Sequence, residues 1–79
     1  MNKTLGSKRH VALIAFLKDR RKAAGLSQEE LAVRMGEYQS FVARMESGQR
    51  RVDVVEFLSL AAILKFDAKA ALAEITKVR

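Results

Sequence analysis

LSQEELAVRMGEYQSFVARMESGQRR, from Leu26 to Arg51, decides how this chain is read. It holds two short amphipathic segments that meet at Gly36, with arginines just beyond the second. Ser27 and Glu30 have the S-x-x-E spacing of a capping box, in which each side chain satisfies a backbone N–H of the other residue. Leu31, Ala32 and Met35 give the first segment its apolar stripe. In the second, Val42 and Met45 share a face, Phe41 lies on its edge, and Gly48 ends it. Two short helices joined by a tight glycine-containing turn form the helix-turn-helix outline, whose second helix can lie in the DNA major groove. Generic helical hairpins share that outline, so the side chains must decide.

Outward from this hairpin, glycines punctuate a chain that has no proline. The stretch Ser7 to Ala24 is rich in helix formers and ends at Gly25, where a left-handed residue costs glycine little. Asp53 and Glu56 repeat the capping-box spacing and open a fourth helix, with Val54, Phe57, Leu58, Ala61 and Leu64 at helical intervals. Asp67 can cap a fifth, from Ala68 to about Lys77. Strand alternation is absent, so the reading is all-α: five helices in one domain over residues 7–79, with residues 1–6 frayed or mobile. In the first helix the apolar run Val11 to Leu17 wraps the whole circumference, so one side faces the core and the other meets the fifth helix or a second subunit.

A chain of 79 residues fits one small domain. It has no cysteine and one histidine, His10, which leaves no disulfide and no cluster of metal ligands. There is no candidate catalytic triad and no phosphate-binding glycine loop, so enzyme activity finds no support and no cofactor is expected. The apolar run Val11 to Leu17 is too short to span a membrane, and no signal-peptide pattern precedes it, so the expectation is a cytoplasmic protein. The formal net charge of +6 favours a polyanionic partner; composition alone does not separate nucleic acid from an anionic membrane.

The outward face of the third helix is more informative. Gln39, Ser40, Ala43, Arg44 and Ser47 fall on it while Val42 and Met45 turn inward. Arginine can fork onto guanine O6 and N7, glutamine onto adenine N6 and N7, and an alanine methyl can meet the thymine methyl. A face kept polar for solubility alone could be built from alternating lysine and glutamate.

These residues resemble the lambda Cro and C1 repressor type of helix-turn-helix, the Xre family. The likeness runs through Ser27-Gln28-x-x-Leu31-Ala32-x-x-Met35-Gly36, then Gln39-Ser40-x-Val42, then Met45-Glu46-x-Gly48-x-Arg50, and covers about residues 13–66. It implies a compact, lambda-repressor-like five-helix domain. It also implies that Gln39, Ser40 and Arg44 contact bases and that Gln28, Tyr38, Arg50 and Arg51 contact the DNA backbone. Arg21 and Glu46 match a pair that in this family forms a partly buried salt bridge. Tyr38 departs from the serine or threonine common at its position, so the third helix is expected to lack a conventional cap. Phe41 either packs against the second helix or points at the groove. Lys8, Arg9 and His10 read as solvated charge at a helix start, or as an arm along DNA, with His10 as polar surface.

The expected function is therefore sequence-specific binding of double-stranded DNA by a homodimer on an inverted repeat, with a transcriptional repressor as the default. The competing expectation is an antitoxin or protein-interaction adaptor of the same fold, with a toxin as partner. Apolar surface on the first helix, and on the fifth at Ala71, Leu72 and Ile75, keeps that reading open.

Overall fold

Every helix but the third starts where a short polar side chain satisfies the first free N–H groups. In the computed structural model, which describes residues 6–79, the helices are α1 (Lys8–Ala23), α2 (Gln28–Met35), α3 (Gln39–Glu46), α4 (Val54–Leu64) and α5 (Ala68–Thr76). Ser7 caps α1, Asp67 caps α5, and the capping boxes Ser27/Glu30 and Asp53/Glu56 are both formed at α2 and α4. No strand occurs among the described residues. The expected mobile segment, residues 1–6, lies outside the described residues apart from Gly6.

The core is built from one side of each helix. Leu17, Leu31, Val42, Met45 and Leu60 are fully buried, with Ile14, Phe57, Leu64 and Ala71 around them. Phe66, in the α4–α5 link, meets the edge of Phe16 with ring centres 4.9 Å apart and packs on Phe57 at 5.5 Å. Such edge-to-face contacts add to the burial of the rings themselves. They fold α5 back over one side of α1. Val11 and Ala15 nevertheless remain exposed in a single copy, so α5 covers only part of the outer side of α1.

Two further expectations change and one is refined. His10 is buried rather than polar surface, because the first turn of α1 packs beside the α3–α4 loop and lines cavities shared with Gly48 and Val52. Arg9 stays exposed at the helix start, as expected, but its guanidinium is engaged: its Nε donates to the Val78 carbonyl at 2.7 Å and its Nη2 to that of Thr76 at 2.9 Å. A cation there meets the negative end of the α5 dipole and ties the two ends of the domain together. In α4 the apolar periodicity has two faces, and the core takes Phe57, Leu60, Ala61 and Leu64; Val54 and Leu58 lie outside it.

Candidate nucleic-acid interface

Between α2 and α3 the chain must reverse within three residues. Gly36 does this at φ 72°, in the left-handed region where a side chain is disfavoured, and the Glu37 N–H closes the end of α2 on the Ala32 carbonyl at 2.9 Å. Leu31 and Ala32 on α2 then pack with Val42 and Met45 on α3, which fixes the rotation of α3 about its axis. Phe41 is buried with them, so it packs inward and leaves the outer face to polar groups.

That outer face carries Gln39, Ser40 and Arg44, all exposed, with Tyr38 exposed at the N-cap. Tyr38 makes no side-chain cap bond. Among the described residues, Arg44 pairs with no carboxylate, so its guanidinium is available to a ligand. Arg51 is also exposed, in the loop after α3.

Behind this face runs a continuous hydrogen-bond chain. Gln39 Nε2 donates to Gln28 Oε1 at 2.8 Å, and Gln28 Nε2 donates to Glu46 Oε1 at 3.0 Å. Glu46 in turn accepts a fork from Arg21, Nε to Oε2 at 2.6 Å and Nη2 to Oε1 at 2.9 Å. Arg21 spends its remaining Nη1 on the Leu26 carbonyl at 2.7 Å. Both charged side chains are buried, 10% and 3% exposed. Burial opposes the charge on Glu46, but the hydrogen bonds from Arg21 and Gln28 outweigh it and hold its pKa below the usual carboxylate range. The same bond to Glu46 pushes the Arg21 pKa up.

Arg50 is placed differently from its neighbour. It makes a two-point pair with Glu56 at 3.0 Å for each bond, and its guanidinium lies 4.2 Å from the centre of the Phe41 ring. The hydrogen bond from Arg50 lowers the Glu56 pKa, while Glu56 also accepts from the Asp53 N–H at the α4 cap. One carboxylate therefore holds the loop and the start of α4 together. Sequence reasoning missed this pair, since a separation of six residues across a loop has no helical or strand register to announce it.

A match to the helix-turn-helix domain model covers residues 12–75. The chain is 40% identical to an XRE-family like protein from Pseudomonas syringae pv. tomato, over 95% of this chain and 92% of that one, with a TM-score of 0.84. The chain belongs to the XRE helix-turn-helix family. It is also similar to the restriction-modification controller protein C.AhdI from Aeromonas hydrophila, 37% identical over 81% of this chain and 97% of that one, with a TM-score of 0.67. Among curated proteins no sequence matches. The family and fold are those of DNA-binding regulators rather than enzymes. Among the described residues no helix is long and apolar enough to cross a membrane.

Proposed function

We propose that this protein is a transcription regulator that binds an inverted-repeat operator as a homodimer, each copy laying α3 in the major groove. The observation that carries this reading is the exposed Arg44, unpaired among the described residues, beside Gln39 and Ser40 on a helix whose other side is locked into the core. Arg44 suits a guanine edge and Gln39 an adenine edge, while Ser40 contacts a neighbouring base. Tyr38 and Arg51 hold the sugar-phosphate backbone, as does Gln28 through its second amide N–H, which no bond among the described residues uses. Arg50 reaches a phosphate only by sharing its guanidinium with Glu56, so it contributes less than Arg51.

The dimer reading is supported by apolar surface that one copy leaves in water. Val54 is 74% exposed, Val55 73%, Leu58 53% and Leu72 51%. Val54, Leu58 and Leu72 border one shallow groove with Leu13 and Ile75. A patch of this kind marks an interaction site, and self-association through it doubles the number of bases read. Likeness to a restriction-modification controller supports control of transcription as the outcome, with repression by occupying a promoter as the default.

Selection from randomised duplexes at fixed, near-physiological salt tests the proposal. The expected result is an enriched inverted repeat with half-sites about one helical turn apart. Arg44→Ala is expected to relax one base pair per half-site at a cost of about 1–3 kcal/mol, and Arg51→Ala to weaken all duplexes alike and flatten the salt slope. Salt-sensitive binding without any enriched sequence would overturn the proposal and bring the protein-partner reading forward.

A further inference from the structure

The chain of bonds behind α3 has a fixed direction, and that direction starts at a buried residue. The Glu46 carboxylate, ionised in its fork with Arg21, carries no hydrogen and can only accept. Gln28 must therefore turn its NH₂ group toward Glu46, which leaves its oxygen facing Gln39. Gln39 in turn must spend one of its two N–H groups on that oxygen. What the exposed end of Gln39 still offers is one N–H and the amide oxygen. Adenine presents an acceptor at N7 beside a donor at N6, whereas guanine presents acceptors at both N7 and O6. Gln39 held this way fits adenine, and against guanine it would set its oxygen opposite O6.

We infer that Glu46, together with Arg21, is a positioning residue for base reading: through Gln28 it fixes which way round the Gln39 amide stands, and so which base α3 accepts. This rests on the proposed placement of α3 in the major groove and goes beyond it, because neither Glu46 nor Arg21 needs to touch DNA. The pair is 10% and 3% exposed, so its influence passes through Gln28. An amide at position 46 removes the constraint, because an amide NH₂ can donate to Gln28 Oε1. Gln28 is then free to reverse, and Gln39 to reverse with it.

The test is the same selection, run on the full chain with four variants and read as the adenine-to-guanine ratio at one position. Gln39→Ala defines that position as the base pair whose preference disappears. Gln28→Ala and Glu46→Gln are each expected to lower the ratio there by about tenfold, the discrimination typical of a two-point base contact, while the preference set by Arg44 persists. Gln28→Ala leaves the Arg21–Glu46 pair untouched, so its effect is readable even where Glu46→Gln impairs folding. Leu60→Val, a core change on α4 through which none of these hydrogen bonds passes, is expected to leave the ratio unchanged and so separates positioning from stability. An unchanged ratio in folded Glu46→Gln, or in Gln28→Ala, with adenine still selected by the parent protein, would overturn this inference and leave the proposed function standing. No enriched sequence for the parent protein would overturn both.

Discussion

Replacing Arg21 with methionine keeps most of the side-chain volume and removes the charge, which makes it a direct probe of what holds α1 to α3. The change deletes three hydrogen bonds, two to Glu46 and one to the Leu26 carbonyl. Glu46 would remain 3% exposed, with the Gln28 N–H and the charge of Lys18 left to stabilise its charge. Removing one partner of a buried pair costs about 3–5 kcal/mol, since the other charge is stranded. Domains of this length have a total stability of about 4–12 kcal/mol, so Arg21→Met should consume a large share of it. At about 4–8 °C per kcal/mol, the expected fall in Tm is at least about 12 °C.

The pH dependence gives this prediction its sharper edge. In the parent protein the Glu46 pKa lies below its ordinary value of 4.5, so its stabilising contribution is complete above that pH and lost as pH falls through the folded value. In Arg21→Met the burial remains and the fork is gone, so the Glu46 pKa moves up. A raised carboxylate pKa contributes stability at low pH that disappears as pH rises through it. The variant should therefore gain stability between pH 7 and pH 5, where the parent changes little, and the gap between them should narrow. Urea unfolding followed by far-UV circular dichroism at both pH values measures this. A gap of less than about 1 kcal/mol at pH 7, the size typical of a surface pair, or a gap of equal size at both pH values, would refute the reasoning.

Other expectations follow from single contacts. Leu58→Glu, at an exposed position, should alter monomer stability by no more than about 0.5 kcal/mol yet shift the proposed dimer to monomer in sedimentation experiments; a dimer unchanged by it would place the self-association surface elsewhere. Gly36→Ala should cost about 1–2 kcal/mol in urea unfolding, all of it conformational, because φ is 72° and an added Cβ would meet no atom within 4 Å. Asp53→Ala should cost about 1 kcal/mol through loss of the α4 cap, with a larger loss pointing to slippage of the Arg50–Glu56 pair as well.

The helix starts were legible because their signals are local. Ser27 with Glu30 and Asp53 with Glu56 carry both halves of a reciprocal bond within four residues, and the turn of the hairpin is written in one glycine, Gly36. The end of α4 was harder to read, since Lys65 takes the left-handed position at φ 58° where a glycine would have announced it. Arg20 helps to hold that end, donating to the Leu64 and Lys65 carbonyls at 3.4 and 3.3 Å from a separation of more than forty residues. Periodicity on α4 identified apolar positions without telling which face the core would take. The burial of His10 and the bonds of Arg9 went unseen for a related reason: the first packs beside the α3–α4 loop and the second reach the end of α5, and no local pattern encodes either.

At the candidate site, residue types were legible and their partners were not. Gln28 reads from sequence as a phosphate ligand at a helix start, yet the structure engages its oxygen with Gln39 and one of its N–H groups with Glu46. That leaves a single N–H for DNA. A phosphate bound there would join the chain from Arg21 to Gln39, and hydrogen bonds in series polarise one another. Backbone grip and base reading at this end of α3 then cease to be separate functions. In energetic terms, losing Gln28 should weaken every duplex and blur one base at the same time, whereas losing Arg51 should only weaken binding and losing Arg44 should chiefly blur. Residue type alone does not predict that difference for Gln28; its hydrogen-bond partners do.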